Sequence, residues 1–127
     1  MKIVVTGGNG MIGNCIKDII KDFKEHNFTF LNRSLNNNYS LDLTNRELVL
    51  DFFSKFKFDY IIHLAADVGG LFKNIKNNNL MFSNNIKINE NILEACINTG
   101  IKRGIFILSS CIFPPNNTLD PFNEDSI

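Results

Sequence analysis

TGGNGMIG, residues 6–13, stands between two segments of different period. Before it, KIVVT (2–6) is short, apolar and β-branched, the composition of a strand buried in a parallel sheet. After it, Ile12, Cys15, Ile16, Ile19, Ile20 and Phe23 recur at helical spacing. The glycines at 7, 10 and 13 therefore lie in a turn that joins a strand to a helix. In that setting the first glycine permits the tight turn. The second lets the backbone approach a pyrophosphate, and the third lets the helix pack close to the strand. The helix start adds N–H donors and the positive end of its dipole. A glycine triple alone also fits a plain structural turn; its place between strand and helix favours a dinucleotide cradle.

Working outward, NFTFLN (27–32) reads as a second strand, followed by a polar loop over 33–41. TNRE (44–47) fits a capping box, with Thr44 as cap and Glu47 reaching back, and Leu48, Phe52 and Phe56 continue a helix. DYIIHLAA (59–66) reads as a third strand ending in small residues. The stretch from about 75 to 99 carries Phe82, Ile86, Leu93 and Ile97 on one side and predicts a helix closed by Gly100. GIFILSS (104–110) reads as a fourth strand, and the tail CIFPPNNTLDPFNEDSI (111–127) as loop. Alternation of this kind predicts an α/β fold: a doubly wound, Rossmann-like parallel sheet with strand order 3-2-1-4.

The composition restricts the function classes. Lys plus Arg and Asp plus Glu both number 13, so nothing in the charge balance points to nucleic acid. No run approaches 18 apolar residues, so no membrane partner is expected. The cysteines, Cys15, Cys96 and Cys111, form no CxxC pair and read as reduced thiols of a cytoplasmic protein. Cys15 and Cys96 fall on apolar helix faces and read as core filler, whereas Cys111 follows a strand end, where α/β sites lie. His63, among Ile61, Ile62 and Leu64, reads as a satisfied core histidine, and Asn85 as an amide that bridges a neighbouring loop. No metal ligand set stands out. The Asn runs at 36–38 and 77–79 fit either functional polar loops or an A/T-rich genome, and the abundant Lys, Ile and Phe favour the second reading.

The end of the second strand bears on the choice of coenzyme. NAD sites place a carboxylate there for the ribose 2′-hydroxyl. This chain reads FLNRS, with no acid and with Arg33, whose guanidinium suits a 2′-phosphate. That favours NADP(H), the alternative being that Arg33 is a solvated loop residue.

VTGGNGMIG, LDLTN, IIHLAADVGGLFKNIKNN and LSSCIFPP together resemble the extended short-chain dehydrogenases/reductases. Within them the resemblance is to the branch that epimerises and reduces the nucleotide-sugar GDP-4-keto-6-deoxy-mannose with NADPH. It implies that Gly7, Gly10 and Gly13, with Met11 and Ile12 at the helix start, cradle the pyrophosphate. It implies further that Arg33 meets the 2′-phosphate, Asp42 and Leu43 flank the adenine, and Leu64, Ala65 and Ala66 line the cofactor path. Val68–Gly70 would help shape the sugar pocket. Ser109 would polarise the sugar's keto oxygen, and Cys111 would be the acid or base of epimerisation.

The family's Tyr-x-x-x-Lys is not found. Four residues after Tyr39 and Tyr60 come Leu43 and Leu64, and His26 lies far from any catalytic position. The chain is accordingly expected to be an N-terminal part (1–110, with 111–127 as tail) without a C-terminal substrate domain. It is expected to be inactive alone, with a sticky edge at its last strand. A homo-oligomer, a completing partner chain and a non-catalytic binding module are the alternatives that this leaves.

Overall fold

Among the described residues, β1 (Lys2–Thr6) is the central strand of a five-stranded sheet, with Val4, Val5 and Thr6 fully buried. The computed structural model describes residues 1–34, 39–109 and 112. After β1 come α1 (Met11–Ile19) with a 3-10 turn at Ile20–Asp22, β2 (Asn27–Asn32), β3 (Tyr39–Ser40), α2 (Arg46–Phe56), β4 (Tyr60–His63), α3 (Leu71–Thr99) and β5 (Arg103–Phe106). All pairings are parallel and the order is β3-β2-β1-β4-β5. The order 3-2-1-4 is thus present, but its third strand is one the sequence reading placed inside a polar loop. β3 has two residues, pairs Leu31 with Tyr39 and Asn32 with Ser40, and is too short for a periodic signal. Its presence makes 60–63 the fourth strand, beside β1, and 103–106 the fifth.

The register divides the sheet into two faces. Val4 pairs with Ile61 and Thr6 with His63, and this face is covered by α2 and α3. Phe53, Val49, Ile92 and Ala95 are fully buried there, against Val4, Leu31 and Ile61. Phe52, Phe56 and Phe58 stack beside them, and Tyr39 meets Phe56 edge-on at 5.0 Å between centroids. The other face holds Ile3, Val5 and Phe30, packed by Ile16 of α1 and Ile20 of the turn. This smaller core leaves Ile12 and Ile19 of α1 exposed, and Cys15 with them, so Cys15 is not core filler. Cys96 is, and burial pushes its thiol up to about 11, which makes it inert at neutral pH.

Two helix ends differ from the sequence reading. α2 is capped by Asn45, whose side chain accepts from Leu48 N at 3.2 Å, and not by the Thr44–Glu47 box. Thr44 is engaged elsewhere: its hydroxyl and its N–H both donate to Asp42 Oδ1. α3 starts earlier than expected, at Leu71, and is broken at Asn77 (φ −131°, ψ 24°). There Asn78 Oδ1 accepts from Asn79 N at 2.7 Å, the local competition with the backbone that asparagine offers. Gly100 closes the helix as expected, in the left-handed region at φ 71°.

β5 is an edge strand among the described residues. Ile105 pairs with Ile62 on the α1 side and is 58% exposed, and Ile107 and Leu108 beyond it are exposed too. An apolar edge with an uncovered face is a template for association. The purified 127-residue chain is expected to self-associate with rising concentration in sedimentation velocity, and Ile105→Lys to shift it toward monomer. A parent chain that stays monomeric at high concentration would contradict this.

Candidate functional site

At the C-terminal ends of β1, β2 and β4, the place where parallel sheets bind ligands, lies a cavity of about 430 Å³. Its walls are Gly7, Asn9 and Gly10, the end of β2 with Leu31–Ser34, the segment Leu41–Thr44, and Leu64–Val68, with Asn84 and Ile88 of α3. It therefore brings together Gly7, Gly10, Arg33, Asp42, Leu43, Leu64, Ala65 and Ala66 of the sequence-derived set. Met11, Ile12 and Gly13 belong to the helix start that follows the loop, and Ser109 follows β5; none of these four is a lining residue. Cys111 lies outside the described residues.

The glycine loop is shaped by close contacts. Gly7 has φ +70°, and a Cβ on it would come within 2.9 Å of Ala65 N. A Cβ on Gly13 would come within 2.6 Å of Gly7 O, so the helix packs on the loop itself. Gly7 O accepts from Gly10 N at 2.9 Å, and Asn14 N donates to Gly10 O to begin α1. No side chain caps this helix, and its first turn has no acidic residue. Its leading N–H groups and positive dipole end are therefore left for an anion.

The opposite wall is held by polar side chains reaching in from β1 and α3. Thr6 Oγ1 accepts from Leu64 N and Ala65 N, each at 3.1 Å, and lies 2.7 Å from His63 Nδ1. Two N–H donors occupy the hydroxyl oxygen, so its own proton goes to Nδ1, and His63 is the neutral Nε2–H tautomer. Nε2 then donates to Asn89 Oδ1 at 3.1 Å. His63 is buried, which lowers its pKa, the Asn89 bond opposing only in part. It is a satisfied core histidine. Asn85 brackets Asp67, accepting from its N–H at 2.7 Å and donating to its carbonyl at 3.0 Å, the loop bridge expected of it. Asp67 also binds Lys73 and, at 2.8 Å, Asn84. The ammonium of Lys73 and then the amide of Asn84 hold its carboxyl below the usual range. Asp42 is lowered likewise, by the Thr44 hydroxyl and then the Thr44 N–H.

Sequence reasoning missed Asn9, Asn32, Thr44, Asp67 and Asn84 as lining residues. Asn32 had a local signal, being the last residue of β2; Asn84 had none, because its place depends on how α3 crosses the sheet. Asn32 is 5% exposed, and neither atom of its amide has a hydrogen-bond partner. Among the described residues no group of His, Cys, Asp and Glu could hold a metal, and no helix is long and apolar enough to cross a membrane.

Residues 3–127 match the model of the NAD dependent epimerase/dehydratase family. The chain belongs to that family. Among its relatives, the GDP-L-fucose synthase of Dictyostelium discoideum is 38% identical over 127 residues, covering 98% of this chain and 38% of that protein. The probable GDP-L-fucose synthase of Drosophila melanogaster is 35% identical, covering 99% of this chain and 38% of that protein. A solved GDP-L-fucose synthetase from Naegleria fowleri, bound to NADP, superposes with a TM-score of 0.78 at 31% identity, over 98% of this chain and 35% of that chain. The chain thus spans about 38% of the length of the curated relatives it matches. The resemblance to the extended dehydrogenases/reductases and to their fucose-synthase branch is borne out at the level of the fold and of the relatives.

In this epimerase/dehydratase chain, the neutrality of His63 has a consequence for pH. An unfolded histidine takes up a proton near about pH 6.5. The folded one resists it, so the stability is present above that value and is lost as pH falls below it toward the lowered folded pKa. Between about pH 7 and about pH 5 the thermal midpoint of the parent chain should fall more steeply than that of His63→Leu. Parallel slopes would remove this role from His63.

Proposed function

We propose that these 127 residues form the coenzyme-binding part of a GDP-L-fucose synthase-like epimerase-reductase, with NADP(H) as coenzyme and a GDP-linked 4-keto-6-deoxy sugar as substrate of the whole enzyme. The observation that carries this reading is one cavity that joins the Gly7–Gly10 loop, Arg33 and Leu64–Ala66. The residues fit the group: the close contacts at Gly7 and Gly13 leave backbone where side chains would block, and the uncapped start of α1 supplies donors.

The glycine loop and the N–H groups of Met11 and Ile12 bind the pyrophosphate, and Arg33 binds the 2′-phosphate as a charge-assisted pair. Asp42 and Leu43 flank the adenine, with the Asp42 carboxylate already occupied by Thr44 and so fixed in place. Leu64, Ala65 and Ala66 guide the nicotinamide end, their path set by Thr6. NADPH, when bound, supplies the hydride for reduction. Ser109 polarises the keto oxygen and Cys111 moves the proton at the carbons next to it. Residues 1–110 make the coenzyme domain and 111–127 its tail, in a cytoplasmic enzyme.

The proton donor for reduction is another matter. The 127 residues contain no Tyr-x-x-x-Lys, and Ser109 and Cys111 do not replace it. Further polypeptide completes the site, either continuous with this chain or in a partner. The exposed apolar residues Leu71, Phe72 and Ile75 at the start of α3, and the edge of β5, support a surface made for such polypeptide. A non-catalytic nucleotide-binding module is the second reading, and the uncapped helix serves it equally.

Calorimetric titration tests the coenzyme. NADPH should bind more tightly than NADH, and Arg33→Ala should weaken NADPH about 10- to 100-fold while leaving NADH nearly unchanged, the range of a charge-assisted bond. Equal affinity for the two coenzymes would withdraw Arg33 from this role. With GDP-4-keto-6-deoxy-mannose and NADPH the isolated chain should show no steady turnover; turnover would overturn the need for completion.

A further inference from the structure

The lining of the cavity is charged in the wrong sense for a polyanion. Among the described residues that form its walls, Arg33 is the one cation, and Asp42 and Asp67 are both carboxylates. The Thr44 hydroxyl and N–H bind Asp42 and so hold it in its charged form. Arg33 does not offset two carboxylates. A dinucleotide with a 2′-phosphate brings about 1.5–2 more negative charges than one without it at neutral pH. The walls therefore need a positive charge that they do not themselves contain.

Lys73, which is not a lining residue, supplies it from behind the wall. Its ammonium pairs with Asp67 Oδ1 and donates to Val68 O at 3.1 Å. Its side chain lies across Gly69, where no Cβ would fit. Asn84 donates to the other carboxylate oxygen, Oδ2, at 2.8 Å. The backbone of Asp67 is held separately, by the amide of Asn85. The place of Asp67 in the wall thus stands without Lys73, whereas its charge is balanced only with it. The carboxylates and the cation share one field: after Lys73 and Asn84 at Asp67, and after Thr44 at Asp42, the Arg33 guanidinium lowers both carboxyls through space. A charge in such a wall acts on an ion in the cavity without touching it.

We infer that Lys73 is a charge-compensating residue of this site: by neutralising Asp67 it opens the cavity to a polyanionic dinucleotide, and most of all to a 2′-phosphorylated one. This rests on the dinucleotide reading above and adds a second control to it. Arg33 attracts the 2′-phosphate, whereas Lys73 removes a repulsion that acts on every phosphate of the ligand. Affinity should then follow the net charge of the 67/73 pair. A surplus positive charge binds most tightly, a balanced or doubly neutral pair comes next, and a surplus negative charge binds least.

The experiment measures NADPH and NADH binding by calorimetry for the 127-residue chain, for Lys73→Met, for Asp67→Asn and for the double variant, at low salt and at about 0.5 M salt. At low salt Lys73→Met should weaken NADPH about 3- to 10-fold and NADH less, the size of one charge acting across a partly solvated site. Asp67→Asn should bind NADPH more tightly than the parent, and the double variant should return close to the parent. High salt should shrink all of these differences. Parent-like NADPH binding by Lys73→Met would overturn the inference and leave the dinucleotide site standing. So would a double variant as weak as Lys73→Met, because Lys73 would then act by holding the loop and not by its charge. Binding of neither coenzyme by a folded parent chain would overturn the dinucleotide reading, and the compensating role with it. If Lys73→Met does not fold, Asp67→Asn decides alone: NADPH binding no tighter than the parent's overturns the inference.

Discussion

The hydroxyl of Thr6 is buried at the end of the central strand and makes three hydrogen bonds there. It takes the N–H groups of Leu64 and Ala65, where β4 has stopped pairing and its backbone would otherwise be orphaned. It gives its proton to His63, which hands another to Asn89 on α3. One side chain thus ties β1 to the exit of β4 and, through a neutral imidazole, to the covering helix. The next residue makes use of that closeness. Gly7 lies so near Ala65 that no Cβ fits between them, and its left-handed backbone turns the chain into α1. The direction of the uncapped helix start, and with it the cradle, depends on the two exits staying in contact.

α3 supplies the second constraint, and does so through amides. Asn85 pairs with both backbone groups of Asp67 much as a neighbouring strand would, Asn84 holds its carboxylate, and buried Asn91 donates to Leu43 O at 2.9 Å. These loops line the cavity and have few backbone partners of their own, so a helix rich in asparagine is what fixes them. The residues at 77–79 are different: there the amides compete with the helix and break it. Composition bias describes the run at 77–79 well, and describes Asn84, Asn85, Asn89 and Asn91 poorly.

This contrast explains what was legible in the sequence. Hydrophobic pattern found β1, β2, β4, β5 and the helices α1, α2 and α3, because burial on one face writes itself into spacing. The glycine loop was legible because its constraints act between near neighbours: Gly13 against Gly7, Gly10 against Gly7. β3 was not, since two residues carry no period and Tyr39 declares itself only by packing on Phe56. The cap of α2 moved by one residue because Thr44 had a better partner in Asp42, a choice that motif spacing does not express. The bridging role of Asn85 was readable from its residue type, whereas the presence of Asn84 in the cavity wall needed the crossing of α3. Exposed Cys15 was misread because a helix covering a small core buries a narrower stripe than its apolar residues span.

The costs that remain in the fold fall into two kinds, and the kinds answer to different partners. The residue Asn32, with its unpaired amide, and Gly10, at the uncapped start of α1, line one cavity, the place for a small polar ligand. Ligand that binds the folded state alone adds stability by mass action, about 2.7 kcal/mol at a hundredfold excess over its dissociation constant. That addition does nothing for Ile105, Leu71, Phe72 or Ile75, which lie outside the cavity and stay in water whether it is filled or not. Apolar surface of that kind is removed only by more polypeptide. A ligand in the cavity therefore steadies the cradle without quieting the edge, and a filled chain keeps the same reason to associate as an empty one.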